Sequence, residues 1–298
     1  MIRIFTERLI GGLLLLTAIL ITGNSYAVSI KYAAPEKRGS GNGLSQDNAS
    51  DFLDASFWTE VRNLLEKDAV SVKFVAGDYK KAYTSSPLLL HNIGNRKNVL
   101  LLEGEASKTI FTVPESTVEK GVLIELKNAQ NIVIRNFSFT GNGRLGYALK
   151  ITSAEGGETK NITVENCSWT DMRGIVYGAT GCHKPGTSDV TYNNCTFKRI
   201  GIDSHSHHMY HAHSTKRIIV INSHFEDCTG DYVRFRDNCD YNTVKGSTFV
   251  RNADFPVYPF ISAPLFNNID PGDESFSSNY TIKGNSFINA KYAVAFHN

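Results

Sequence analysis

The densest concentration of reactive side chains is HSHHMYHAH (residues 205–213), five His and one Tyr within nine residues. Imidazole and phenol both exchange protons, and a nearby cation draws a phenol's pKa down from ~10 towards the working range. VRFR (233–236) follows and supplies two guanidinium groups, Arg234 and Arg236, which can pair bidentately with a carboxylate. Together these residue types cover the three tasks of β-elimination from a uronate. The carboxylate must be neutralised, the α-proton it acidifies removed, and the departing glycosidic oxygen protonated. Tyr210 or His208 is the proton-exchanging group, Arg234 or Arg236 the neutraliser, and Lys150 or Lys184 a further candidate base.

Such groups act together only if a regular scaffold brings them side by side, and a search for internal periods finds one. Six segments align without gaps: NIVIRNFSF (131–139), NITVENCSW (161–169), DVTYNNCTF (189–197), RIIVINSHF (217–225), YNTVKGSTF (241–249) and NYTIKGNSF (279–287). Their final aromatics stand 30, 28, 28, 24 and 38 residues apart. Each alternates apolar and polar residues, as a half-buried strand does, before a turn-forming Asn136, Asn166, Asn194, Asn222, Gly246 or Gly284. Coils stacked at about 4.8 Å put equivalent residues in ladders. The aromatics and a Val/Ile series (Ile134, Val164, Val220, Val244, Ile282) are expected to fill the interior, with the asparagines forming a structural turn ladder.

A second strand precedes each repeat, including Ala148 to Thr152, Ile175 to Gly178, Met209 to His213, Val233 to Asp237 and Val294 to His297. Earlier coils are suggested by VSVKFVAGDY (70–79) and NVLLLEGE (98–105), and Phe57, Val61, Leu64 and Leu65 lie at helical spacing within 55–67, a helix suited to capping one end of a solenoid. The fold expected is all-β, a right-handed parallel β-helix over residues 28–298. Its last coil, four residues beyond Val294, looks poorly capped.

Aligning Phe225 with Phe249 sets Tyr210 beside Arg234 and His211 beside Phe235. Strict alternation then turns His208, Tyr210, Arg234 and Arg236 outward and His211 inward. Val176 and Gly178 would lie between Tyr210 and Lys150 as a small-residue groove floor. The resulting basic stripe suits an extended anionic polysaccharide, with Lys150, Lys184, His205, His207, His213 and Tyr258 as its further substrate contacts. Tyr258, Phe260 and Phe266, in the longest interval between repeats, are candidates for stacking on sugar rings. A solvated basic face or a non-catalytic binding solenoid is the competing reading, and a glycoside hydrolase another, although the outward positions offer few carboxylates.

The remaining composition narrows the field. With 31 Lys and Arg against 29 Asp and Glu, no global field points to nucleic acid or to an anionic membrane. Arg3 and Arg8, an apolar run of about 13 residues and Ser25-Tyr26-Ala27 form a secretory signal pattern, too short for the ~20 residues of a membrane span. Removal after Ala27 and an exported, periplasmic or secreted protein free of the membrane are expected. The five cysteines are an odd number, and Cys167 and Cys195 occupy equivalent repeat positions, as buried neighbours would. No metal is expected; His-rich tracts bind transition metals, but no second ligand cluster completes such a site. Calcium on Asp231, Asp237 and Asp240 is the one cofactor option.

The NxxIxNCxF coils, the VKFVAGDY start and the capping helix resemble the right-handed β-helix superfamily that contains pectate lyases, alginate lyases and chondroitinase B, over residues 50 to 298. The HxxYxA strand (207–212) followed one coil later by VRFR is similar to the β-helix lyases of families six and thirty-one, which act on alginate or chondroitin. Arg234 stands where those enzymes often carry Lys. The resemblance implies polysaccharide lyase activity, with alginate the first substrate to test.

Overall fold

The computed structural model describes residues 28–80, 87–94, 97–115, 121–143, 145–172, 175–179 (backbone alone), 186–266 and 274–297. Residues 1–27, read above as a secretory signal, and Lys184 lie outside the described residues.

Each repeat forms one strand, an Asn or Gly turn and a second strand, and a third strand closes the coil. Three sheets result, of ten, eight and eight strands, paired in parallel between successive coils. The turn asparagines explain why the corner forms. Asn136, Asn166, Asn194 and Asn222 have φ of 64°, 53°, 53° and 52°, with Gly246 and Gly284 continuing the series at 62° and 66°. This left-handed conformation costs most L-residues about 1–2 kcal/mol, least for Gly and Asn. Asn194 Nδ2 donates to Asn166 Oδ1 at 2.7 Å, so the side chains also tie adjacent coils together.

The aromatic ladder fills the interior behind the second sheet. Phe139, Trp169, Phe197, Phe225, Phe249 and Phe287 stack with centroids 5.0, 4.4, 4.9, 4.7 and 5.3 Å apart. The first sheet contributes Ile134, Val164, Tyr192, Val220, Val244 and Ile282, each in register with the next. Cys167 and Cys195 are buried in adjacent coils as free thiols, and Cys228 is a buried free thiol as well. Burial pushes Cys195 up to about 12, which keeps the thiol protonated and inert.

The helix Ala55–Leu65 buries Phe57, Trp58, Val61 and Leu65 against the N-terminal coils, and its start is fixed by Asp54, which accepts from the Ser56 and Phe57 backbone N–H groups. At the other end Ile288, Tyr292 and Phe296 are exposed.

The third sheet departs from simple alternation. Leu123 and Ile124, Ala148 and Leu149, Tyr232 and Val233, and Phe260 and Ile261 are consecutive pairs that are buried together in the core. The corner entering this sheet adds one inward residue just ahead of the alternating strand. His208 and Met209 are the same pair in their coil, and that moves His208 indoors.

Candidate functional site

The strands His207–His211 and Val233–Phe235 pair Met209 with Val233, Tyr210 with Arg234 and His211 with Phe235. In that register Tyr210 and Arg234 share the outer wall. His208 does not join them. It is 0% exposed, stacks between Phe197 and Phe225 and meets Tyr232 edge-on, so the outward position expected from strict alternation is corrected to an interior one. Its Nε2 faces the Asp227 carbonyl oxygen at 3.2 Å, and Nδ1 has no hydrogen-bond partner among the described residues. His211 is interior too, stacked on Phe235 with neither ring nitrogen partnered. Burial pushes both imidazoles down to about 3, because a charge in this apolar interior has nothing to replace its hydration. Neither ring can exchange protons with a substrate.

His207 lies on the outer wall but is covered: its ring stacks on Tyr210 at 5.8 Å and Nδ1 meets the Asp231 carbonyl oxygen at 2.9 Å. His205 is exposed in the preceding turn beside Asp203. His213 pairs through Nδ1 with Asp237 at 2.7 Å. Tyr258 is half-buried, and Phe260 is no sugar platform, because it is buried against Tyr232, Phe249 and Phe287. Ala179 is in register with both Leu149 and Met209, so neither Val176 nor Gly178 stands in the row between Lys150 and Tyr210, and the middle position of that row lies outside the described residues.

The wall holds two ion-paired units. Arg234 donates through Nε and Nη2 to Asp231 Oδ2 at 2.9 and 2.7 Å, and the Ser262 hydroxyl donates to the same oxygen at 2.5 Å. None of the described residues accepts from Arg234 Nη1. Arg236 donates through Nε to Glu274 Oε1 at 2.5 Å, with Nη2 on the same oxygen, while Nη1 donates to the Tyr210 phenol oxygen at 3.0 Å. Phe266 lies 4.6 Å from the Arg236 guanidinium, a cation–π contact on top of the ion pair. Asp231 and Glu274 are both nearly inaccessible to solvent. Tyr210 faces outward, yet these neighbours leave it only 4% exposed.

Lys150 also has a carboxylate. Its Nζ is 3.4 Å from Glu125 Oε1, and His91 Nε2 meets the other Glu125 oxygen at 2.8 Å. The basic stripe expected from the sequence is therefore a row of paired groups: Lys150 with Glu125, Arg234 with Asp231 and Arg236 with Glu274 as ion pairs, and His213 hydrogen-bonded to Asp237.

Glu274 and Ser262 join this wall without any signal from the repeat, and Asp231, considered from the sequence only as a calcium ligand, pairs with Arg234 instead. Asp231 sits at the corner before its strand and Glu274 in the interval between repeats, neither on an alternating segment. Asp231, Asp237 and Asp240, the calcium candidates, have separate partners. Asp231 serves Arg234 and Ser262, Asp237 serves His213, and Asp240 accepts from the Ser278 backbone and hydroxyl. No group of three His, Cys, Asp or Glu among the described residues is gathered closely enough to hold a metal ion.

No curated protein matches the chain. Among solved structures, the A-module of the Azotobacter vinelandii mannuronan C-5 epimerase AlgE4 aligns over 89% of this chain and 91% of its own, at 14% identity and a TM-score of 0.40. ORF18 of Geobacillus virus E2 aligns over 89% of this chain and 61% of its own, at 11% identity and a TM-score of 0.31. The family model for the right-handed β-helix region matches residues 98–258, more than half of the 298 residues, and the chain belongs to that family.

Proposed function

We propose that this β-helix is an exported polysaccharide lyase that cleaves a uronate-containing polymer by β-elimination, with alginate the first substrate to test. One observation carries the reading: Arg236 Nη1 donates to the Tyr210 phenol oxygen at 3.0 Å, beside an Arg234 whose Nη1 has no acceptor among the described residues. A guanidinium at hydrogen-bond distance stabilises the phenolate form of a tyrosine, which makes it a base. Arg234 Nη1 neutralises the uronate carboxylate, so that the adjacent C–H becomes acidic. The Tyr210 oxygen takes that proton, the electron pair forms the ring double bond, and the glycosidic C–O bond breaks. The same proton passes to the departing oxygen, which regenerates the base. Glu274 and Asp231 position the two guanidinium groups.

A second reading has its own support. Two shielded carboxylates, Asp231 and Glu274, stand on the wall, and a pair of carboxylates is what glycoside hydrolysis requires. The products separate the readings. Incubating the purified chain with alginate, polygalacturonate and glycosaminoglycans should generate new chain ends together with the ultraviolet absorbance of an unsaturated uronate. New reducing ends without that absorbance would establish hydrolysis, and binding without either would leave a non-catalytic carbohydrate-binding solenoid. Export with loss of residues 1–27 is checked by the mass of the secreted chain.

A further inference from the structure

The doubled inward pair that opens the third sheet also arranges its outer wall. Residues three apart ordinarily face opposite sides of a strand, but two consecutive inward residues return the next one to the outside. His207 and Tyr210 flank the pair His208–Met209, and Asp231 and Arg234 flank Tyr232–Val233, so all four stand on the wall. Met209 is in register with Val233, which sets the two flanking pairs one coil apart as the corners of a square.

Every side of that square is a contact. Within one coil the His207 and Tyr210 rings lie 16° from parallel with centroids 5.8 Å apart. In the next, Arg234 holds Asp231 Oδ2 through Nε and Nη2, with the Ser262 hydroxyl on the same oxygen. Between the coils Tyr210 is in register with Arg234, and His207 Nδ1 is 2.9 Å from the Asp231 carbonyl oxygen.

A carbonyl oxygen only accepts, so Nδ1 carries the proton and donates, while Nε2 keeps its lone pair. The Cys228 thiol, 3.9 Å from the same oxygen, is a weak donor by comparison. Burial, followed by the Arg234 charge, pushes the His207 imidazole well below its usual range, although the Asp231 carbonyl acts the other way. The ring is neutral and adds no second cation beside Arg234. At 1% exposure it cannot be the substrate contact expected from the sequence.

Resting on the lyase reading above, we infer that His207 is a positioning residue for the elimination: its ring face sets the plane of the Tyr210 phenol, and its Nδ1–H fixes the corner from which Asp231 holds Arg234. The first contact matters when the proton moves, because a misplacement of about 1 Å can cost ~10²-fold in rate. The second matters when the uronate carboxylate is bound.

Two substitutions separate the contacts. His207→Asn retains an N–H donor near the Nδ1 position and removes the ring, whereas His207→Phe retains a ring and removes the donor. On the uronate polymer that the parent cleaves, His207→Asn should lower kcat about tenfold or more at an unchanged KM, and His207→Phe should raise KM about tenfold with a smaller effect on kcat. The parent's kcat and KM in both variants, whatever their urea midpoints, would overturn the inference and leave the lyase reading intact, as would equal losses with no division between kcat and KM. Nitrogen NMR of the parent's imidazoles adds an arm that depends on no variant. The ring in contact with the Tyr210 ring should show a protonated Nδ1 and a bare Nε2 throughout the range from about pH 8 to about pH 6. A protonated Nε2, or a ring that gains charge within that range, would refute the proposed geometry. If the parent cleaves no uronate polymer, the lyase reading itself falls and takes this inference with it.

Discussion

The inner row of the second sheet and the outer row of the third are built on the same coils, and they obey opposite rules. The inner row places one flat ring on the next from Phe139 to Phe287, with Trp169 and Phe197 only 7° from parallel. The outer row never repeats: Leu89, Glu125, Lys150, Tyr210, Arg234 and Ser262 are six different residues. Repetition serves stability, because identical neighbours pack identically. Chemistry needs unlike groups at neighbouring positions, and the scaffold supplies positions about 4.8 Å apart at which to put them.

This contrast breaks most visibly at the aromatic stack. Trp169→Ala should cost about 3–5 kcal/mol, read as a lowered urea midpoint, because the neighbouring coils cannot close the cavity. An effect below about 1 kcal/mol would mean that the stack is not the core.

The buried imidazoles come next. His208 and His211 titrate near 6.5 when unfolded and are pushed down to about 3 in the fold, so below pH 6.5 the unfolded chain binds the extra protons. Their contribution is intact above that pH and is lost progressively as pH falls towards 3. At pH 5 each ring costs about 2 kcal/mol relative to pH 7. Urea titrations at the two pH values measure the loss, and replacing His211 by Phe should remove its share of the acid sensitivity.

Asn194→Ala should cost about 1–2 kcal/mol, since the left-handed turn remains while the Asn ladder is cut. Asn194→Gly should cost less, having no Cβ to accommodate. Smallest of all, Lys150→Gln should leave stability within about 0.5 kcal/mol, which would mark the outer row as dispensable for folding.

How much of this was legible in the sequence follows from the same contrast. Six copies of an alternating segment ending in an aromatic identify the coil, its turn and its core, and the spacing of Phe225 and Phe249 fixes Tyr210 against Arg234. His208 was misplaced because alternation is broken at the corner, where His208 and Met209 both turn inward. Nothing in their types announces this, although Tyr232-Val233 and Phe260-Ile261 show the same doubled apolar pair. A second left-handed ladder also escaped notice. The first residue of every repeat, Asn131, Asn161, Asp189, Arg217, Tyr241 and Asn279, has φ between 53° and 61°. Four of the six are Asn or Asp, but Arg217 and Tyr241 hide the pattern. Glu274 had no periodic signal at all, since it belongs to an interval that the repeat does not describe. The ion pairs that neutralise the stripe were hidden for a related reason, because their carboxylates come mostly from corners and loops.

The measurement that tests the catalytic claim most directly is the rate of unsaturated-product formation by Tyr210→Phe on the substrate that the parent protein turns over. Loss of the phenol oxygen should lower that rate by about 10²–10⁴-fold, while the urea midpoint moves little, because the ring and its stack on His207 remain. A Tyr210→Phe protein that keeps the parent's rate would show that the proton moves through another group and would contradict the proposed mechanism.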